Sequence, residues 1–396
     1  MESADSTYAV AGPPSNYSLD GDHWSRALRP DAALVHDYLL TPRGAERTFE
    51  AIAASWRGSP VFTSLFDELG MDGRFGSHRV TTSNLQMLRP KQRTFRMMLP
   101  LFPRAIEGLP IGERELVISS SSAFAHGVRP APGATHVCYC HSPFRYAWHE
   151  REYALREAPR ATRFGLRATL EQVRRWDVSA SRRVTHYIAN SQITRRRIAD
   201  YYGRDAQVIH PPVDVERFGA PQQPDDYLLC VGEVTAHKRV DVAVAAAQLA
   251  RKRLKVVGEG PDLERLRRQY PDGIEFLGRV SDRALDELYV RAEAVIVPKV
   301  EEFGIVAVEA QAAGRPVLAI DEGGTQETVV DGVTGVLVPR GTVEEFAEAL
   351  LMVDFTTFDA AAIARHARQF SQDRFRREID EFVGRAVVSD ACDSLF

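Results

Sequence analysis

Two successive stretches of alternating strand and helix patterns constrain the fold of this 396-residue chain more than any other feature. The first stretch starts with an apolar run at 32–36 and the second with a similar run at 227–231. A proline-rich segment at 210–224 separates them. Strands that alternate with helices predict a parallel sheet covered on both faces, and a chain this long exceeds what one core usually supports. The sequence therefore predicts an α/β fold of two doubly wound, Rossmann-like domains.

Composition narrows the class of protein. Hydrophobic content of 44% and charged content of 26% are ordinary for a soluble protein, and a net charge of -4 does not suggest general nucleic-acid binding. No apolar run approaches the length of about 18 residues that a spanning helix needs. The first residues lack the basic region and apolar core of a secretory signal, so we expect a cytoplasmic protein. Cys138 and Cys140 lack a second ligand pair at zinc spacing, which favours buried thiols over the alternative of a metal site.

The segment from Glu301 to Glu309 carries the strongest functional signal. It follows an apolar run at 294–298 and opens a helix that ends near 314–316, so it lies at the carboxyl edge of a predicted strand. Gly304 at the turn would let backbone N–H groups approach a phosphate at the positive end of the helix dipole. Glu309 could accept two hydrogen bonds from the hydroxyls of a ribose. Taken alone, the segment would be interpreted as an exposed acidic helix start.

Three other segments follow predicted strands at the same kind of edge. Lys238 and Arg239 could hold a diphosphate, although a pair of cations at a helix start is common on protein surfaces. The turn around Gly258 resembles a dinucleotide fingerprint only weakly, and a tight turn with proline at the first helical position is the simpler interpretation. His141 follows the strand that ends at Cys140, and a single histidine is more often structural than catalytic.

Taken in chain order, these segments resemble family 4 of the retaining glycosyltransferases, which have the GT-B fold. Within that family they resemble a mannosyltransferase-like branch. The resemblance covers residues 32–383 and depends on segments 36–47, 140–148, 238–239 and 301–309. It implies an acceptor-binding domain at 30–222 and a nucleotide-sugar-binding domain at 223–370, facing each other across a cleft. Residues 1–29 are expected to be a loosely ordered leader, and 371–396 a C-terminal helix that crosses back to the first domain. The chain departs from the family at Glu302, where glycine is usual, and at Glu233, where arginine is usual.

The resemblance also implies roles for single residues. Catalytic roles are expected for His141, Lys238 and Glu301. The expected donor-binding residues are Arg239, Gly258, Arg279, Val280, Phe303, Gly304, Ile305 and Glu309. The acceptor or sugar side is expected to include Asp37, Arg43, Gly44 and Arg145, for which an ordinary strand-to-helix turn is the alternative. No metal ion or other cofactor is implied.

The implied reaction moves a hexose from a nucleotide-diphosphate sugar to a saccharide, glycolipid or lipid-linked acceptor, with retention of configuration. GDP-mannose is the expected donor and a UDP-sugar the alternative. A nucleotide-sugar epimerase of the same fold and a non-catalytic nucleotide-sugar-binding protein are the alternative functions. Residues 88–104 combine five basic with several apolar residues and no acid, which predicts contact with an anionic membrane surface at the inner face of the membrane. A solvated helix face is the alternative interpretation.

Overall fold

The computed structural model describes residues 30–88 and 95–393. A seven-stranded and a six-stranded parallel sheet follow each other along the chain, which confirms the predicted pair of doubly wound domains. The first sheet has the order β3-β2-β1-β4-β5-β6-β7, and the second has the order β10-β9-β8-β11-β12-β13. In each sheet the strand order reverses beside the first strand of that domain, between β1 and β4 and between β8 and β11. Ligands of open α/β sheets bind at such reversal points.

The strands of the first sheet are β1 Ala32–His36, β2 Val61–Thr63, β3 Val80–Thr82, β4 Leu116–Ser121, β5 Thr135–Cys140, β6 His186–Ala189 and β7 Ala206–Val208. Those of the second sheet are β8 Leu228–Val231, β9 Leu254–Val257, β10 Ile274–Gly278, β11 Ala294–Val297, β12 Val317–Ile320 and β13 Gly335–Val338. The central strands β1, β4, β5 and β11 are buried along their whole length. Burial on both faces explains the continuous apolar runs of β1 and β11, whereas β4 also buries the polar residues Ser119, Ser120 and Ser121.

Helices cover both sheets. In the first half they are α1 Gly44–Ser55, α2 Phe102–Glu107, α3 Arg151–Glu157, α4 Arg160–Ser181 and α5 Gln192–Tyr202. In the second half they are α6 Val240–Leu249, α7 Leu263–Gln269, α8 Asp282–Arg291, α9 Ile305–Ala312, α10 Thr325–Thr328, α11 Val343–Met352, α12 Ala360–Ala367 and α13 Gln372–Asp393. Short 3-10 helices lie at 84–88, 95–101, 125–127, 215–218, 236–238, 355–357 and 368–370. In the described ranges, no helix combines the length and apolar character that crossing a membrane requires.

The last helix, α13, belongs to the core of the first half although it follows the second half in the chain. Phe375, Ile379 and Val383 are buried in the same apolar cluster as Phe49 and Ile52 of α1. The ring of Phe375 also meets that of Tyr139 on β5 edge to face, with centroids 5.6 Å apart. Because a helix that crosses back in this way contributes to both halves, it limits how freely the two halves can move apart.

Candidate functional site

The amino ends of α1 and α9 meet in the cleft between the two sheets. Gly44 begins α1, and a β-carbon placed on it would lie 2.8 Å from Cδ1 of Ile305, the first residue of α9. One turn further along α1, Nη1 of Arg47 lies 3.9 Å from Oε1 of Glu309. Arg43, just before α1, lies 4.0 Å from the carboxylate of Glu233 in the other half. Segments that the sequence places more than 180 residues apart therefore form one site.

Lys238 and Glu301 form an ion pair at this site. Nζ of Lys238 donates to Oε1 of Glu301 at 2.7 Å. Lys238 ends the 3-10 helix that follows β8, and Glu301 lies in the loop between β11 and α9. Burial disfavours the charged form of Lys238, but the field of Glu301 and then of Glu302 outweighs it and raises the pKa of the ammonium group. Lys238 is therefore charged, and these two expected catalytic residues are each other's partner.

Gly304 starts α9 in a conformation that suits glycine. Its φ is 92°, in the left-handed region that residues with a β-carbon rarely adopt. No side chain caps the amino end of α9 in the described structure. The first N–H groups of an uncapped helix and its dipole favour an anion. Lys238 and this helix end can therefore both contribute positive potential to one ligand.

Glu309 is already engaged by protein groups. It is 7% exposed, and its Oε2 accepts a hydrogen bond of 2.9 Å from the hydroxyl of Tyr289. Its Oε1 lies 3.2 Å from Nη2 of Arg217. Burial and the nearby Glu309 raise the pKa of Tyr289 well above its usual value, so the phenol remains a donor. A ribose at Glu309 would have to share the carboxylate with Tyr289 and Arg217.

Gly258 and Arg239 have contacts of their own. Gly258 has a φ of 139°, and a β-carbon on it would lie 1.8 Å from the carbonyl oxygen of Gly232, so the close approach of β8 and β9 requires glycine. Arg239 has a φ of 53° and donates from Nη2 to the carbonyl of Gly341 at 2.8 Å. This contact directs Arg239 toward the loop after β13. Of the two neighbouring cations, Lys238 is therefore the one that pairs with Glu301.

His141 is held as a neutral ring. Its Nε2 lies 2.9 Å from the hydroxyl of Ser120, and burial lowers its pKa to about 3. Arg145, four residues further along the loop, is also largely enclosed. Burial opposes its charge, but the carboxylates of Glu302 and Glu150 raise its pKa. The loop after β5 therefore offers a hydrogen-bonding imidazole and a cation in the field of Glu302 and Glu150.

The family described as "Glycosyltransferase Family 4" matches residues 42–217, and "Glycosyl transferases group 1" matches residues 214–353. Together the two matches cover residues 42–353 without a gap, which includes every strand of both sheets except β1. The chain belongs to glycosyltransferase family 4.

Curated relatives of this family 4 chain include several named transferases. A D-inositol 3-phosphate glycosyltransferase of Geodermatophilus obscurus is 34% identical over 222 residues, which cover 47% of this chain and 49% of the relative. An alpha-D-kanosaminyltransferase of Streptomyces kanamyceticus is 31% identical over 214 residues, covering 51% and 53%. The chain spans about half the length of the curated relatives it matches.

Solved structures share the fold of this family 4 chain. Anabaena HepE, solved in complex with UDP-glucose, is 18% identical, has a TM-score of 0.64 and covers 89% of this chain and 99% of its own. Sucrose-phosphate synthase from Thermosynechococcus elongatus is also 18% identical, has a TM-score of 0.69 and covers 91% and 100%. At this level of identity the similarity establishes the two-domain GT-B fold and nothing finer.

Two residues expected to contact ligands in this family 4 chain are buried in structural roles. Asp37 was expected on the acceptor side, but it is 2% exposed and accepts backbone hydrogen bonds of 2.6–2.7 Å from Ser122, Phe124 and Ala125. Its carboxylate therefore anchors the segment after β4 and does not line the cleft. Phe303 is 3% exposed, and its ring stacks on His210 at 5.3 Å. Any donor contact by Phe303 is thus limited to its backbone.

The two remaining donor-binding candidates follow the edge strand β10. Arg279 is exposed, and Val280 is partly buried against the apolar core below it. Neither makes a side-chain hydrogen bond within the described ranges, and their role stays a prediction. Sequence reasoning missed Arg217 and Tyr289, because neither lies in a motif. Arg217 is in the proline-rich linker and Tyr289 on α8, and only the fold brings them to Glu309.

Proposed function

We propose that this protein is a retaining hexosyltransferase that uses a nucleotide-diphosphate sugar. The observation that carries the proposal is the uncapped amino end of α9 beside the Lys238–Glu301 pair, in the cleft where α1 and α9 meet. This arrangement provides positive potential for a diphosphate and a carboxylate for sugar hydroxyls. Transferases among the curated relatives, and the UDP-glucose bound to HepE, support the same assignment.

In the mechanism we propose, the incoming diphosphate replaces Glu301 as the partner of Lys238. Glu301 is then released to accept hydrogen bonds from the transferred sugar, and neutral His141 binds a hydroxyl of the same sugar. Lys238 and the backbone N–H groups at Gly304 stabilise the charge that develops on the leaving diphosphate, which is commonly the largest contribution to catalysis. The acceptor hydroxyl attacks the face that the diphosphate leaves and passes its proton to the departing phosphate. No metal ion is part of this proposal, because Lys238 and the helix dipole supply the positive charge.

For the donor we propose GDP-mannose, with a UDP-hexose as the alternative that the UDP-glucose complex of HepE favours. A thermal-shift panel of GDP, UDP, ADP and their sugars tests both. A donor present at 100 times its Kd should stabilise the fold by about 2.7 kcal/mol. The Lys238→Ala variant should lose most of the shift. A panel in which no nucleotide or nucleotide sugar raises the Tm would overturn the proposal.

Product analysis separates the alternative functions. Consumption of the donor sugar without any acceptor, giving a new nucleotide sugar, would indicate an epimerase. Nucleotide binding without turnover in the presence of a broad acceptor panel would indicate a binding protein. The proposed transferase should release the nucleoside diphosphate only when a saccharide, glycolipid or lipid-linked acceptor is supplied, apart from slow hydrolysis.

We also propose that the acceptor is reached at a membrane surface. Arg89, Lys91 and Arg93 of the basic segment lie outside the described residues, but two neighbouring features support the idea. Leu101 is 44% exposed beside the described end of the segment, and Phe164 on the first turns of α4 is 83% exposed. Leu99 and Leu166 pack into the same apolar cluster, so the two elements form one surface. Exposed Arg160 and Arg167 flank Phe164 and suit anionic headgroups.

Liposome flotation with and without anionic lipid tests this surface. The wild type should float with anionic vesicles, and Phe164→Ser together with Arg160→Gln should reduce flotation several-fold. Leu351→Ser is the matched control, because Leu351 is 65% exposed on α11 of the other half. Equal flotation of all three proteins, or none, would contradict the proposed surface.

A further inference from the structure

Two carboxylates make reciprocal contacts across the cleft. Glu302, in the second half, lies 3.7 Å from Nε2 of His149 and 3.5 Å from Nη1 of Arg197, which both belong to the first half. Glu150, in the first half, lies 3.3 Å from Nε2 of His237 and 3.8 Å from Nζ of Lys299, which both belong to the second half. Each half thus supplies one acid to two basic residues of the other.

These six side chains are largely shielded from solvent. Their exposed fractions run from 10% for Lys299 to 19% for His237. Ion pairs in such surroundings are screened less by salt than surface pairs are, and removing one partner leaves the other poorly compensated. At 3.3–3.8 Å, the cross-cleft contacts are longer than good hydrogen bonds. Arg197–Glu302 and Lys299–Glu150 are ion pairs, whereas burial and Lys299 lower the pKa of His237 to about 3, so His237 meets Glu150 as a neutral ring. These contacts can therefore open without breaking a short hydrogen bond of their own, although Glu327 also accepts short hydrogen bonds across the cleft from the backbone N–H of Gln192.

A cation site is the competing interpretation of this cluster. Ligand atoms of His149, Glu150 and Glu302 all lie within 4.8 Å of one another. Arg197 and Lys299 already bring positive charge to the same two carboxylates. Burial alone would raise the pKa of Glu302, but His149, Arg145, Lys299 and Arg197 lower it well below the usual value. The carboxylates are therefore compensated by protein cations, and a metal ion would have to displace them.

We propose that Glu302 and Glu150 are positioning residues that clasp the two halves together and hold the loop at 299–304 closed. We call His149, Glu150, Arg197, His237, Lys299 and Glu302 the clasp. Glu302 lies between Glu301 and Phe303, one residue from the carboxylate that pairs with Lys238 and two from the helix start at Gly304. Closing the clasp therefore fixes the groups that would meet the donor before it arrives. The effect on donor affinity rests on the proposed function, but the closure itself does not.

The closure is tested with two variants on one helix. Arg197 and Arg195 both lie on α5, but Arg197 pairs across the cleft with Glu302, whereas Arg195 pairs with Asp205 within the first half at 3.1 Å. Nitroxide labels at exposed Arg57 and Glu348, one in each half, report their separation in a Cys392→Ser background. Arg197→Gln and Glu302→Gln should lengthen and broaden the distance distribution without any ligand. Arg195→Gln should leave it unchanged.

Donor affinity provides the second readout. Opening the clasp lowers the fraction of protein that is ready to bind, so each of Arg197→Gln and Glu302→Gln should raise the donor Kd by about five- to tenfold. The double variant should lose no more than Glu302→Gln alone, because Glu302→Gln already removes the contact with Arg197 together with that with His149. Unchanged distances in the ligand-free variants would overturn the clasp. Changed distances in a protein that binds no nucleotide sugar would instead overturn the proposed function and leave the clasp standing.

Discussion

At the scale of single residues, the candidate site is a set of charges that already have partners. Lys238 pairs with Glu301 at 2.7 Å, and Glu309 is shared by Tyr289 and Arg217. Such pairing keeps charged side chains oriented in a partly buried cleft without a ligand. It also means that a ligand binds by exchanging partners, so a substitution at one member changes the state of the other.

Lys238→Ala should reduce donor turnover by about 100-fold or more, because it removes a cation from the leaving diphosphate. It also leaves Glu301 without its partner and next to Glu302. Measured kcat/KM with the donor varied gives the loss directly. Lys252→Ala is the control. Lys252 makes a similar ion pair, with 2.9 Å between its Nζ and Oε1 of Glu293, and this pair lies away from the cleft. Wild-type turnover in Lys238→Ala would refute the role.

His141→Ala should lower kcat more than it raises the donor Kd, because the neutral ring is expected to bind the sugar and not the nucleotide. Its lowered pKa, about 3, predicts that no titration of His141 shapes the kcat profile between pH 5 and 8. His141→Gln should recover part of the lost turnover by restoring a hydrogen-bonding group. Equal losses in kcat and in nucleotide affinity would indicate a structural role.

At the scale of elements, the close approach of α1 to α9 depends on a missing side chain. Only glycine at position 44 avoids a contact of 2.8 Å with Cδ1 of Ile305. The atom that would have to move is the flexible end of a side chain, so the fold itself should tolerate a larger residue. What would change is the distance between two helix starts that border the proposed diphosphate position.

Gly44→Ala should therefore weaken donor binding several-fold while leaving the Tm nearly unchanged. Ile305→Val removes the Cδ1 atom that the new methyl group would touch, so Gly44→Ala together with Ile305→Val should regain most of the affinity. Isothermal titration with the donor or its nucleoside diphosphate measures both steps. Failure of the second substitution to compensate would show that the Gly44–Ile305 contact is not what limits binding.

The crossing helix α13 should contribute a large share of the stability of the first half. Phe375 is fully buried in its core, and replacing such a residue by alanine typically costs about 3–5 kcal/mol. Phe375→Ala should lower the urea midpoint accordingly. Arg385→Ala on the same helix is the control, because Arg385 is exposed. Similar midpoints for the two variants would mean that α13 adds little to the core.

At the scale of the whole molecule, buried neutral histidines should make the fold sensitive to mild acid. Burial lowers the pKa values of His36, His136 and His141 to about 3 each. Below pH 6.5 the unfolded chain takes up protons that the folded chain cannot, so stability is present above this pH and is lost as the pH falls toward 3. Burial raises the pKa of Glu46 to about 7. Glu46 opposes this loss of stability, because it binds a proton at a higher pH in the folded protein than in the unfolded chain.

A variant isolates one of these contributions. His136→Gln should reduce the pH dependence of the free energy of unfolding by about 1.4 kcal/mol per pH unit between pH 6 and pH 4. Urea unfolding of both proteins at several pH values supplies the comparison. His78→Gln, at a half-buried position outside the core, is the control. Parallel curves for wild type and His136→Gln would show that the buried ring does titrate in the fold.

Local chemistry in the sequence was sufficient to predict several parts of this fold. Apolar runs identified central strands such as β1 and β11, because parallel strands buried on both faces are mostly apolar. Serine is a preferred residue at a helix start, and the hydroxyl of Ser191 accepts the N–H of Thr194 at the start of α5. The long helix α4 was missed. Only five of its 22 residues are buried, and two of these are Asp177 and Ser181, so few apolar residues mark its buried face.

The sequence by itself determined the doubly wound class and the segments that end at the carboxyl edges of the two sheets. Only the tertiary structure decided which of those segments touch. The Glu302–Arg197 and Glu309–Arg217 pairs join residues about 90 or more positions apart. The tertiary structure also places the Asp37 carboxylate outside the cleft, because the three backbone N–H groups that bind it belong to the segment after β4. The physical reason is the same in each case: residue types specify local conformation and charge, whereas the packing of two sheets selects the partners.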